Sequence, residues 1–318
     1  MDVFLGFKFL AVCLLDVVMG DPRWFPHPVR LLGAVIQWCD QLIDYLCQSP
    51  LGKRTAGIVL ALGLPYGSYV MVREVIGFMD SLNEALGMIT WIVLGYTTLA
   101  ARDLWDHARQ VYEALTEQEL SESRIAVSQL VGRDTAHLSE SDIVRATIES
   151  VSENTSDGIV APLLYLALGG PSLAMAYKAV NTLDSMIGYR NARYRDLGWA
   201  SARLDDVLNW IPARLTALGI SVAAALRLGT GKAACRMCWR DARKHLSPNS
   251  GWPEAAMAGA LDVQLGGANK YGGLVEERAT LGDLGRPLAF PLILSALQLM
   301  GLASILLMVV FFVGVVVC

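Results

Sequence analysis

Charge is scarce in this chain. Lys, Arg, Asp and Glu make up 18% of its 318 residues, while 54% are hydrophobic. A soluble domain carries about 25% charged and about 45–50% apolar residues, so the composition points toward lipid. The net charge of −4 leaves no basic footprint and excludes nucleic acid as a partner. Cysteines are few and scattered, at Cys13, Cys39, Cys47, Cys235, Cys238 and Cys318. Two of them lie in apolar stretches, which excludes a disulfide framework. The lone Cys235-Arg-Met-Cys238 lacks the second pair a zinc site usually needs and reads as two small residues on a helix. There is no internal repeat, no low-complexity tract and no convincing strand pattern. A cleavable signal peptide is missing too: residues 4–18 are interrupted by Lys8 and Asp16, with no small-x-small site before Gly20. That segment reads as a retained membrane helix.

What the chain does have is long apolar runs. A spanning helix needs about 20 mostly apolar residues. Residues 287–318 carry no charge at all, and 55–72 and 85–101 are also uncharged, with a possible kink at Pro65. Residues 158–177 are uncharged but interrupted by Gly169-Gly170-Pro171, and 207–226 are apolar except for Arg214. The predicted fold class is all-α: a polytopic membrane protein with about four to six membrane segments. It forms one integral membrane domain over residues 1–318, with polar helical modules at about 102–156 and 229–286. In the first module Ser139-Glu-Ser-Asp142 predicts a capped helix start.

Polar residues near a membrane are costly and therefore informative. Glu149, Glu153 and Asp157 recur at i, i+4 and i+8, so on a helix they share one face. No cation within the stretch relieves their repulsion, although Arg145 could pair with Glu149. Such a stack suits a cation, most simply Mg²⁺, or else forms a solvated face that ends in an N-cap at Ser156 or Asp157. Asn154 and Thr155 lie beside it. Lys178, Asn181, Asp184 or Ser185, and Gly188 form a polar stripe, with Arg190 beyond it. Lys178 and Arg190 suit an anion such as phosphate, unless Lys178 only snorkels. Asp205, Asp206 and Asn209 lie one turn apart and precede Arg214, which needs a partner, a cavity or a structural pairing with one of those aspartates. Ser247-Pro248-Asn249-Ser250-Gly251-Trp252-Pro253-Glu254 reads as a fixed loop. The glycine-rich 265–273, with Asn269 and Lys270, reads as a loop whose amides approach an anion. Neither is a Walker A loop. His27 is bracketed by Pro22, Pro26 and Pro28, whereas His107, His137 and His245 read as ordinary surface residues.

Five of these segments, in this order, resemble the cobinamide-phosphate synthase family of cobalamin biosynthesis. They are Asp21-Pro22…His27-Pro28, Ser150-Val-Ser-Glu153-Asn154-Thr155-Ser156-Asp157-Gly158, Lys178-Ala-Val-Asn181-Thr182-Leu-Asp184-Ser185, Asp205-Asp206…Pro212-Ala-Arg214 and Ser247-Pro-Asn249-Ser-Gly251-Trp-Pro-Glu254. The resemblance runs from about residue 10 to the C-terminus. It implies a bacterial inner-membrane enzyme that joins adenosylcobyric acid, a substrate, to aminopropanol or its O-phosphate through an amide. The product would be adenosylcobinamide or its phosphate. It also implies a lipid bilayer around the chain and leaves room for association with other membrane enzymes of the pathway.

A carboxylate does not condense with an amine unaided, so ATP and Mg²⁺ are expected, by way of an acyl phosphate. The expected roles follow. Glu149, Glu153, Asp157, Asp205 and Asp206 supply metal ligands and a base, with Asp184 among the catalytic acids. Lys178 and Arg190 hold phosphate. His27, Asn154, Thr155, Ser156, Asn181, Arg214, Asn249, Glu254, Asn269 and Lys270 contact substrate. Two other readings compete: a Mg²⁺-dependent intramembrane prenyl or alcohol transferase, and a corrinoid carrier without chemistry.

Overall fold

The computed structural model describes residues 3–22, 24, 27–189, 191–271 and 273–317. Thirteen helices and one hairpin are found among them. The helices are α1 (Val3–Met19), α2 (Pro28–Leu46), α3 (Pro50–Leu82), α4 (Glu84–Tyr96), α5 (Ala101–Thr116), α6 (Leu120–Ser128), α7 (Glu140–Asn154), α8 (Ala161–Ile187), α9 (Trp199–Leu208), α10 (Trp210–Leu228), α11 (Gly231–Asp241), α12 (Gly251–Leu261) and α13 (Pro291–Val317). The hairpin pairs β1 (Leu265–Tyr271) with β2 (Leu274–Leu281). Five helical runs are long and apolar enough to cross a membrane: Pro50–Leu82, Glu84–Thr116, Glu140–Ile187, Trp210–Leu228 and Pro291–Val317. The chain is thus an all-α polytopic membrane protein, as its composition requires.

The chain divides into two compact units. One holds residues 1–100, 161–209 and 310–318; the other holds 101–160 and 210–309. In the first, α3 begins with Ser49, whose Oγ accepts from Gly52 N at 3.0 Å ahead of Pro50. It runs through Pro65 as a single helix. Asn83 closes it and opens α4, its Oδ1 accepting from Ala85 N at 2.8 Å. Such a cap contributes about 1 kcal/mol. Ile36, Leu183, Ile187 and Leu197 form a buried cluster that brings α2, the end of α8 and the turn before α9 together.

The second unit contains both polar modules. Its α7 starts with a full capping box, Ser139 and Asp142 satisfying each other's backbone amides. The helix is then buried on every side from Ile143 to Ser152. Each Ile or Val so buried contributes about 1.5–3 kcal/mol, but Arg145 and Glu149 are buried with them and must find partners. After Asn154 the chain widens into a π-helical turn, Thr155–Val160. The Cys-x-x-Cys pair does lie on a helix, α11, with Cys235 exposed and Cys238 buried. Burial pushes the Cys238 thiol up to about 11, so it stays a thiol.

The structure departs from two expectations. The stretch around 265–273 is a strand, not an anion-binding loop. Gly266 and Gly267 sit at φ of 80° and 85°, around a bulge in the pairing of β1 with β2. Arg145 holds the strand in place by donating to the carbonyls of Gly266 and Ala268. Tertiary hydrogen bonds, rather than an alternating pattern, make it a strand. In addition, Gly251 to Glu254 form the first turn of α12 rather than a loop. Pro253 is tolerated there because a first-turn N–H lacks a helical partner anyway.

Candidate active site

Within the second unit, a polar cavity of about 130 Å³ opens between α7, the start of α12 and the hairpin. Its walls include Arg133, Glu149, Glu153, Asn154, His245, Glu254, Asn269 and Arg278. Pockets for drug-sized ligands measure about 300–1,000 Å³, so this one takes a small polar fragment rather than a macrocycle.

Each carboxylate in it is treated differently. Glu149 Oε2 pairs with Arg133 Nη2 at 2.5 Å, and its Oε1 accepts from Gly266 N at 2.7 Å. Arg145 Nη1 lies 3.9 Å away. The repulsion expected along α7 is therefore relieved from outside the helix. Glu149, expected as a metal ligand, has both oxygens engaged. Arg133 also donates to Asn269 Oδ1 at 2.7 Å, fixing a residue expected to touch substrate. Glu153 accepts from Ser250 Oγ at 2.8 Å through Oε1; its Oε2 has no hydrogen-bond partner among the described residues and stays available to the cavity. Glu254 is buried in the cavity wall. Burial, reinforced by the charges of Glu149 and Glu153, holds its carboxyl well above the usual carboxylate range.

His245 belongs to this wall, contrary to its reading as a surface residue. Its Nδ1 accepts from Ser247 N at 3.0 Å, and its Nε2 lies 3.8 Å from Glu254 Oε1. Burial pushes its pKa down, outweighing the opposing pull of Glu153.

The other expected residues of this unit have separate places. Asp157 is half-buried in the π-helical turn and does not line the cavity. The Thr155 hydroxyl is taken by Val151 O at 2.6 Å, and Ser156 Oγ is buried with no hydrogen-bond partner among the described residues. Arg214 has its guanidinium 4.2 Å from the Trp210 ring and 4.5 Å from that of Trp252, donating to Trp210 O and to Asn249 Oδ1. Two indole faces and two oxygens, not an aspartate, solve its desolvation problem. Lys270 is exposed on β1 and does not line the cavity.

The first unit gathers a second polar set. On α8, Asn181 Nδ2 donates to Asp205 Oδ1 of α9 at 3.4 Å. Tyr177 Oη donates to Asn209 Oδ1 at 2.9 Å. Asp205 is 9% exposed; burial, and next the charge of Asp184, push its carboxyl up to about 7. His27 is buried 4.0 Å from Asp21 Oδ1, which also receives Arg30 at 2.8 Å. Burial lowers its pKa, and the Lys178 charge adds to that. His27 Nδ1 has no hydrogen-bond partner among the described residues. Asp206 turns outward to Arg203, 3.5 Å away. Arg190 lies outside the described residues.

Among the described residues, no three His, Cys, Asp or Glu side chains converge as a ready metal cage. Mg²⁺ does not need one: it is commonly held by one or two carboxylates together with substrate phosphates and water. Glu153 fits that donor set.

Arg133, His245, Ser250 and Arg278 escaped the sequence reading. Arg133 and His245 stand outside the recognisable motifs, and Ser250 stands inside one unnoticed. The signal that could have found Arg133 is the unrelieved charge of Glu149, which demanded a cation from elsewhere.

Comparisons with known proteins identify the family. A family model described as CobD/Cbib protein matches residues 9–300. Cobalamin biosynthesis protein CobD of Geobacter metallireducens is 47% identical over 287 residues, covering 89% of this chain and 88% of that protein. Cobalamin biosynthesis protein CobD of Klebsiella pneumoniae is 45% identical over 308 residues, covering 95% and 96%. Cobalamin biosynthesis protein CbiB of Salmonella typhimurium is 42% identical over 300 residues, covering 93% and 94%. No solved structure matches. A family match over nearly the whole length, and identities of this size, mean that the chain belongs to the CobD/CbiB family.

Proposed function

We propose that the chain works in cobalamin biosynthesis, in a bacterial inner membrane, by closing an amide. Its substrates are adenosylcobyric acid and aminopropanol or aminopropanol O-phosphate. The observation that carries this reading is the small polar cavity that sets guanidinium groups beside carboxylates. A macrocycle cannot enter it, but the carboxylate arm of one and the amine end of the other substrate can.

The chemistry divides into two steps. A carboxylate oxygen of adenosylcobyric acid attacks the terminal phosphorus of ATP, and ADP departs. The amine then attacks the acyl carbon, loses a proton and expels inorganic phosphate. Mg²⁺ bound with the nucleotide would neutralise phosphate charge, with Glu153 as its protein ligand. Arg133 and Arg278 balance the anionic groups. Glu254, holding its proton, donates a hydrogen bond rather than repelling the incoming carboxylate. In the second step, after ADP has departed with the metal, the open oxygen of Glu153 would be free to take the ammonium proton within hydrogen-bond reach. In the first unit, Lys178, with the open His27 Nδ1 and Asn181, suits an anionic group of either substrate.

Membranes carrying the chain, given adenosylcobyric acid, aminopropanol phosphate, Mg²⁺ and ATP, should form a new amide-linked corrinoid visible by mass spectrometry. Product without ATP would overturn the activation step; absence of product from folded protein would overturn the amide reading.

A further inference from the structure

The segment between Ala161 and Ile187 is helical at both ends and broken in the middle. Gly169 lies at φ −152°, ψ 22° and Gly170 at φ 67°, ψ −166°. The second conformation is essentially open to glycine alone. Two contacts report how far the chain turns there. Tyr165 and Tyr177 stack with ring centroids 4.9 Å apart and planes 18° from parallel. In a continuous helix, residues at this separation would stand about 18 Å apart along the axis, too far for their rings to stack. The same two side chains also end on neighbouring residues: Tyr165 Oη donates to Leu208 O at 2.8 Å, and Tyr177 Oη to Asn209 Oδ1 at 2.9 Å. The two legs turn back toward each other.

We infer that residues 161–187 dip into the bilayer and return to the side they entered from, as a re-entrant hairpin with Leu168 and Gly169 at its tip. The length fits. The entering leg, residues 161–169, reaches about 13 Å, against a hydrocarbon core of about 30 Å. The surroundings fit too. Broken backbone at membrane depth is tolerated only where protein shelters it. The most apolar window of the run Glu140–Ile187 is 56% buried, twice the 28% of Pro291–Val317. Trp91 lies against Gly170, and Leu166 and Pro171 both pack on Gly95. Leu168, 68% exposed, is the surface left for acyl chains. Hydropathy alone counts this segment as a span; its geometry makes it a loop into one leaflet. Lys178, Asn181 and Asp184 on the returning leg therefore emerge on the side where Ala161 enters, and no charge has to cross.

The test uses the full-length chain in vesicles of known orientation, with native cysteines replaced by serine and one new thiol on each side of the hairpin. Gln129→Cys and Ser185→Cys are both at exposed positions. The intervening α7 carries Arg145, Glu149 and Glu153 at successive turns and is no span. A membrane-impermeant maleimide should label both sites from the same face; labelling from opposite faces overturns the inference. A second measurement leaves the native cysteines in place. Gly170→Ala should lower the melting temperature in detergent, because alanine resists a φ of 67°. A raised melting temperature, the response of a continuous helix losing a glycine, would count equally against the hairpin.

Discussion

Glu149, in the unit of residues 101–160 and 210–309, is 6% exposed, and Asp205, in the other unit, is 9% exposed. Both are carboxylates taken out of water, yet their surroundings differ in kind. Glu149 meets Arg133, the Gly266 amide and, more distantly, Arg145. Asp205 meets a long hydrogen bond from Asn181 and the like charge of Asp184. The first is tied down as a structural strut by a guanidinium and a backbone amide; the second is pushed up to about 7. Burial alone does not tell a structural acid from a titrating one: the countercharge decides. Glu153, one turn on from Glu149, is a third case, anchored through one oxygen and open through the other.

The largest effect should come from the open oxygen. Glu153→Gln keeps the size and the Ser250 contact but removes the base and ligand proposed for this position, and should cut product formation by at least ~100-fold. The membranes should retain normal amounts of the protein, and near-normal turnover would remove Glu153 from the mechanism. Next, Arg133→Met leaves Glu149 buried without its main cation and should destabilise the unit by about 3–5 kcal/mol, read as a lower melting temperature. Adding Glu149→Gln should recover much of that loss; no recovery would mean the pair is not the strut described. Asp205 gives a pH signature. Its folded pKa is raised above the ordinary carboxylate value, so its contribution to stability is present at acid pH and is lost as pH rises through about 7. The melting temperature should fall between pH 5 and pH 8 in the parent chain and change less in Asp205→Asn. Equal slopes would contradict the assignment. The smallest effect belongs to Ser139→Ala, which removes the α7 cap for about 1 kcal/mol and should leave turnover unchanged.

What could be read in the sequence was local. The uncharged C-terminal run, the capping box at Ser139 and the break at Gly169-Gly170-Pro171 each depend on residues within a few positions, and each is found in place. What could not be read was carried by distance. Arg133 finds Asn269 from 136 residues away, and Ser250 reaches Glu153 across 97. The hairpin was hidden because Gly266 and Gly267 show no strand propensity, and only Arg145 and Glu149 make their conformation worthwhile. His245 looked ordinary because its partner, Glu254, is silent until α12 turns it inward. The motif residues were legible; their division between two units was not, since spacing along a chain says nothing of which helices pack together.

The central claim is that the corrinoid carboxylate is activated by phosphoryl transfer before the amine attacks. It is tested most directly by supplying adenosylcobyric acid with ¹⁸O in the reacting carboxylate, together with ATP, Mg²⁺ and aminopropanol phosphate. The account predicts one ¹⁸O in the inorganic phosphate released with each amide formed. Amide formation with unlabelled phosphate would contradict it.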